Sequence, residues 1–167
     1  MNCLAIIDMQ NAFMNEYTAH LPGRIRQFLE THDFDSVIAT KYCNTPGTAC
    51  YRLGGWKDCM KNTPDAELVP ELQPFVQRVF EKTTFSGLTY ECRAFLKEQQ
   101  FEKIWFCGVN TDCCVLATML NCYDTGQDCA VIADLCASTV GIPAHEHALN
   151  LIRDNMTPER VINSSAL

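Results

Sequence analysis

Three residue types that could act together in nucleophilic catalysis stand far apart in this chain: Asp8, Lys82 and the adjacent pair Cys113-Cys114. A carboxylate can take a thiol proton, the sulfur can then attack a carbonyl, and an ammonium can steady the negative charges that develop. The cysteines lie in G-V-N-T-D-C-C-V, Gly108 to Val115. This stretch follows the apolar run Ile104 to Cys107, which reads as a buried strand, and precedes an apolar-periodic helix starting near Asp112. A thiol in a first helical turn meets unpaired N–H groups and the positive end of the macrodipole, so such a site can hold a thiolate at neutral pH.

Helical spacing separates the two thiols. Cys113, Leu116, Ala117 and Leu120 form an i, i+3, i+4, i+7 stripe expected to face a sheet, whereas Cys114 shares its face with Thr118 and Asn121. With Thr111 as N-cap, Cys114 is the third helical residue and has an unpaired N–H, which makes Cys114 the expected nucleophile and Cys113 the expected core thiol.

The elements that must position these groups follow from pattern. Cys3 to Ile7, Ser36 to Tyr42, Gln77 to Glu81, Ile104 to Cys107, Asp128 to Ala133 and Arg160 to Asn163 read as strands. Between them run helical stripes: Leu21, Ile25, Phe28 and Leu29 beside Pro22; Leu88, Cys92, Phe95 and Leu96; Asp112 to about Thr125, closed by Gly126; and Ala144, Ala148, Leu151 and Ile152 after Pro143. This alternation predicts an α/β fold whose mostly parallel sheet of about six strands carries helices on both faces, and the length predicts a single domain over residues 1–167. Ligands of such sheets sit outside the carboxyl ends of the strands. Asp8, Lys82 and the cysteine pair all fall on that rim.

The segment from Cys43 to Pro74 is broken by proline and glycine and is expected to be a lid or pocket wall, or partly helical. Phe13, Tyr42, Trp56 and Phe85 lie near the same rim or in this segment and are expected to wall a substrate site, with Gln10 as a further substrate contact.

Charge narrows the partners. Lys and Arg number 13 against 20 Asp and Glu, a net charge of −7. That balance argues against a nucleic-acid footprint or an anionic membrane surface as partner, and a small-molecule substrate is expected from the rim residues instead. No apolar run approaches the length of a membrane span. The N-terminal residues lack the basic flank of a signal peptide, so a cytoplasmic protein is expected. Eleven cysteines, an odd number without a C-x-x-C pair, fit a reduced chain in which Cys3, Cys107 and Cys129 are small core hydrophobes.

In order and spacing, D-M-Q-N-A-F (Asp8 to Phe13), K-T-T-F-S-G-L (Lys82 to Leu88) and G-V-N-T-D-C-C-V resemble the three signatures of the isochorismatase-like cysteine hydrolases. The D-L-C-A-S ending at Ser138 resembles the family's D-x-C-A-S. The resemblance implies a Rossmann-like three-layer α/β/α fold, a homo-oligomer (dimer or tetramer), and an Asp-Lys-Cys triad that maps onto Asp8, Lys82 and Cys114. It also implies a non-proline cis peptide near Val109-Asn110, which lets the Asn110 and Cys114 amides form an oxyanion hole. The expected activity is cleavage of a C–N bond, amide or carbamoyl, through a cysteine thioester. The alternatives are hydrolysis of an isochorismate-like vinyl ether, thiol redox chemistry, or a catalytically silent member of the fold.

Metal-dependent nicotinamidases of that family carry Asp-x-His after the second strand. This chain reads T-K-Y-C-N there, Thr40 to Asn44. His20, His32, His145 and His147 lie elsewhere, and the last two, two apart at a helix start, are expected at the surface. Cys43, Cys50 and Cys59 fit no compact zinc knuckle. No metal and no cofactor are expected. No G-x-G-x-x-G follows the first strand, and no P-loop or G-x-S-x-G elbow is present.

Overall fold

A computed structural model describes residues 1–167. Six strands form one sheet: β1 (Asn2–Ile7), β2 (Ser36–Tyr42), β3 (Arg78–Lys82), β4 (Lys103–Val109), β5 (Cys129–Ala137) and β6 (Val161–Ile162). They lie in the order β3-β2-β1-β4-β5-β6, and every pairing is parallel. The central strands are apolar on both faces, as a sheet covered on both sides requires, with Leu4, Ile6, Ile104, Phe106, Val131 and Ile132 at the heart of the core.

Five helices accompany the sheet: α1 (Leu21–Leu29), α2 (Ala49–Arg52), α3 (Tyr90–Gln99), α4 (Leu116–Asp124) and α5 (Ile142–Asn155). The chain steps outward from β1 to β3, then returns to the other side of β1 for β4. Right-handed crossovers therefore put α1 on one face and α3, α4 and α5 on the other. No helix is long and apolar enough to cross a membrane. All eleven cysteines are free thiols.

The structure departs from the sequence expectations at four places. First, β5 runs on past Ala133 to Ala137, because Asp134, which breaks the apolar pattern, is satisfied by Arg24 at 3.0 Å and by the Ser164 backbone N–H and hydroxyl at 2.7 and 2.6 Å.

Second, the helix after β4 does not begin as an α-helix. Thr111–Val115 is a π-helical turn in which Val115 N–H reaches the Asn110 carbonyl at 3.0 Å. The wide turn carries an extra residue and so rotates the register of α4. The buried face of α4 is consequently Thr118, Met119 and Cys122, while the expected core stripe is only partly buried, Cys113 and Leu116 packing at the margin of the core and Leu120 being 41% exposed.

Third, Leu149 takes the buried position on α5 and Leu151 points outward. Fourth, Thr111 is not an N-cap; Asn110 holds that place and makes no side-chain cap.

The segment after β2 folds back over the carboxyl rim as α2 and short 3-10 turns. Asn44 pins it from within, donating to the carbonyls of Trp56 and Asp58 at 2.9 and 3.0 Å.

Where β4 passes the end of β1, Gly108 adopts φ +112°, and a Cβ there would stand 2.2 Å from the Ile7 carbonyl oxygen. Both the backbone conformation and the space demand glycine. Gly108→Ala is expected to lower stability by about 3 kcal/mol or more, read as a shift of the urea unfolding midpoint. An unchanged midpoint would show that β1 and β4 do not approach this closely.

Candidate active site

The strand order reverses between β1 and β4, and the crevice at such a switch point is the natural ligand site of an open α/β sheet. β1 ends there at Asp8, whose φ of 48° turns the chain sharply off the sheet. Thr40 of the neighbouring β2 clamps the turn: its hydroxyl accepts from Asp8 N–H at 3.2 Å and donates to Asp8 Oδ1 at 2.6 Å. Lys82 closes β3, two strands and so roughly 10 Å from β1. Its long stem spans that gap and places Nζ 2.7 Å from Asp8 Oδ2, with both side chains essentially out of water. The ammonium also donates to the carbonyls of Thr84 and Phe85, at 2.9 and 3.1 Å, and stands 3.4 Å from Cys114 Sγ.

The cysteine turn is anchored on three sides. Thr118 donates to the Cys114 carbonyl at 2.6 Å and accepts from Gly87 N–H at 2.8 Å, which ties the loop after Lys82 to the start of α4. Gly87 is required at this junction, since a Cβ would meet Thr40 Cγ2 at 2.6 Å. Thr111 Oγ1 lies 2.8 Å from His145 Nδ1 on α5. The Asn110 side chain accepts from Thr139 N–H at 2.8 Å. The Val109-Asn110 peptide is cis, and Asn110 N–H donates to no acceptor within the protein.

Burial opposes the charge on Lys82, but the Asp8 carboxylate and the Cys114 sulfur outweigh it and hold its pKa above the usual lysine value. A hydrogen bond with the Cys113 thiol, burial and the Asp8 carboxylate together push the Cys114 thiol up, against the pull of Lys82. The same hydrogen bond, together with Lys82, holds the Cys113 thiol below its usual value. A helix start favours a thiolate, but at Cys114 these neighbours work the other way. His145 is half-buried and paired with Thr111 rather than lying free on the surface, and burial lowers its pKa from 6.5.

Above the thiol opens a cavity of about 380 Å³. Phe13, Tyr42, Trp56 and Phe85 all line it, with Phe13 and Trp56 stacked at 5.9 Å and Tyr42 tilted against Trp56 at 5.6 Å. Cys113, Cys114 and Asn110 form its floor, and Asn15 and Thr139 supply polar edges. Gln10 does not line it. Its amide is consumed inside the protein, donating to the Tyr42 and Ala66 carbonyls at 2.9 and 2.7 Å and accepting from Tyr42 N–H at 2.7 Å. Gln10 braces the cavity wall and is not a substrate contact.

Cys113, expected in the core, faces the cavity, while Cys114 is the more buried thiol. Thr40, Thr118, Asn15, Thr139 and the Thr111–His145 pair were invisible as site residues in the sequence, since each acts through a partner on another element. No group of three His, Cys, Asp or Glu side chains is arranged to hold a metal ion. Asn44, at the site of the nicotinamidase metal motif, spends its amide on Trp56 and Asp58, and Tyr42 packs on Trp56, so these residues do not fit a metal centre.

A model of the isochorismatase domain matches residues 2–162. The chain belongs to the isochorismatase domain family. Isochorismatase domain-containing protein 2 of Xenopus laevis is 38% identical over 71 residues, which is 42% of this chain and 35% of that protein. The secreted isochorismatase effector Isc1 of Phytophthora sojae is 32% identical over 144 residues, 81% of this chain and 61% of that protein. The matches thus span about a third and about three-fifths of the lengths of these relatives.

Among solved structures, the fold matches an isochorismatase-like hydrolase from Alkaliphilus metalliredigens with a TM-score of 0.86 at 21% identity, covering 99% of this chain and 96% of that one. A pyrazinamidase/nicotinamidase from Streptococcus mutans gives 0.84 at 21% identity, covering 97% and 100%. An N-carbamoylsarcosine amidase from Thermoplasma acidophilum gives 0.83 at 20% identity, covering 99% and 98%. The Rossmann-like three-layer architecture of the isochorismatase domain is thereby established for this chain.

Two outcomes are expected from the protonation pattern. Alkylation of Cys114 in the folded protein by iodoacetamide, read by mass spectrometry, is expected to be slow at pH 7 and to accelerate without a plateau up to pH 9; a plateau in the neutral range would mean that the thiol is depressed instead. Because His145 has a lowered pKa, the unfolded chain binds more protons than the folded one below pH 6.5. Stability should fall as pH drops through that range, and His145→Ala should flatten this part of the denaturation profile.

Proposed function

We propose that this family member is a hydrolase of small-molecule C–N bonds, an amide or carbamoyl group, acting through a thioester on Cys114. The observation that carries the reading is the Lys82 ammonium, which sits 2.7 Å from Asp8 and 3.4 Å from Cys114 Sγ beneath a closed-in cavity. Amidases among the structures that share the fold support it.

In this mechanism Asp8 accepts the Cys114 proton as the sulfur attacks the carbonyl carbon. Apart from the lysine, Asp8 Oδ2 has no hydrogen-bond partner, so a lone pair is open to that proton. The oxyanion is held by the backbone N–H groups of Asn110 and Cys114. Collapse of the adduct breaks the C–N bond, and Asp8 returns the proton to the departing nitrogen. Asp8 then deprotonates a water that attacks the thioester, releasing the acid and restoring the thiol. Lys82 holds the Asp8 carboxylate in place and stabilises the sulfur as it becomes anionic.

Phe13, Tyr42, Trp56 and Phe85 act in this reading as the substrate walls. Ammonia or amine release across a panel of carboxamides identifies the substrate. On it, Cys114→Ala should abolish turnover, and Asp8→Asn or Lys82→Met should lower kcat/KM by about two to four orders of magnitude. An acyl adduct on Cys114 should be trapped by rapid acid quench. Full turnover by Cys114→Ala on the same substrate would rule out the covalent route.

A further inference from the structure

None of the residues lining the cavity above Cys114 carries a charge. The ions behind the thiol, Asp8 and Lys82, neutralise each other at 2.7 Å and have side chains 1% and 0% exposed, and Asp112, whose field reaches Cys113, is an acid and offers no cation. Lys82 is further committed to the Thr84 and Phe85 carbonyls. A carboxylate entering this space would lose its water and meet aromatic rings, thiols and the uncharged amides of Asn15 and Asn110, with no cation to replace the hydration. The cost of an unpaired buried charge is far larger than that of an unpaired amide, which hydrogen bonds to neutral groups can offset. The stacked Phe13 and Trp56 and the tilted Tyr42 offer instead flat apolar surface.

We infer that the site selects an electrically neutral substrate, an uncharged amide with a flat or apolar body, and rejects acids such as N-carbamoyl amino acids. The inference rests on the C–N hydrolase reading for the bond that is cut, but the charge selection belongs to the cavity and holds for binding alone. It assigns the segment after β2 a role in specificity: by contributing Cys50, Gly54 and Trp56 and no ion, it makes the wall a charge filter.

The test uses two ligands of the same shape. Terephthalamide and 4-carbamoylbenzoate differ only in that a neutral carboxamide in one is a carboxylate in the other. Binding is measured by calorimetry at pH 7 on Cys114→Ala, with Cys114→Ser as a second background in case the first does not fold. The diamide is expected to bind at least about tenfold more tightly than the acid, one decade of affinity. Phe85, 53% exposed at the rim, tolerates a larger polar side chain. Phe85→Arg in the same background should raise the affinity for the acid relative to that for the diamide by several fold.

Equal or tighter binding of the acid overturns the proposal, and so does failure of both the diamide and benzamide to bind. Binding of the diamide to the variant without ammonia release by the wild-type protein would refute the hydrolase reading and leave the charge selection standing.

Discussion

The Asp8–Lys82 ion pair is the constraint on which the rest of the site depends. Its atoms stand 2.7 Å apart, with both side chains removed from water. Dehydrating either ion alone costs several kcal/mol, and mutual attraction recovers this only when the remaining hydrogen-bonding capacity is also met. Thr40 meets it at Oδ1 of the carboxylate, leaving Oδ2 to the lysine alone, and two loop carbonyls meet it for the ammonium. The strands therefore have to arrive in the order β3-β2-β1, with the threonine strand between the two charges. Only this order lets one lysine stem cross to Asp8 while the intervening strand supplies the clamp.

The same economy of buried polar groups organises the thiol. Cys114 has no side chain devoted to holding it. It is placed by backbone: Thr118 grips its carbonyl and also receives Gly87 N–H from the loop that supplies carbonyls to Lys82. A displacement of that loop would move the ammonium and the sulfur together. On the far side, Thr111 meets His145, and Asn110 meets Thr139, so the turn is gripped by α5 and by the chain leaving β5. The outcome is a thiol pushed up by its hydrogen bond with Cys113 and by burial, with the Lys82 ammonium 3.4 Å away.

The cavity sits on this charged but internally neutralised floor, and its walls are drawn from separate places. Phe13 comes after β1, Tyr42 ends β2, Trp56 belongs to the segment beyond it, and Phe85 to the loop after β3. Gln10, fixed by four hydrogen-bonding contacts to Tyr42, Cys59 and Ala66, makes the link that holds these walls at a set distance. A buried amide of this kind carries no chemistry of its own, yet the shape of the cavity depends on it.

The central strands were legible in the sequence because each is a short apolar run with a polar residue at its carboxyl end, and in a covered parallel sheet burial alone enforces that pattern. Asp8 and Lys82 were legible for the same reason, as charges that terminate such runs. Cys114 was reached by an argument that only half survives. Helical spacing put Cys113 toward the sheet, whereas the π turn rotates the register and leaves Cys114 the more buried thiol, beside Lys82. The sequence by itself thus determined the sheet and the rim on which Asp8, Lys82 and the cysteine pair fall, since these are set by local apolar periodicity. Tertiary structure alone decided the upward push on the Cys114 thiol, the bracing role of Gln10, the Thr111–His145 contact and the uncharged cavity lining. Each depends on groups that meet only when distant strand ends converge, and no local pattern encodes that meeting.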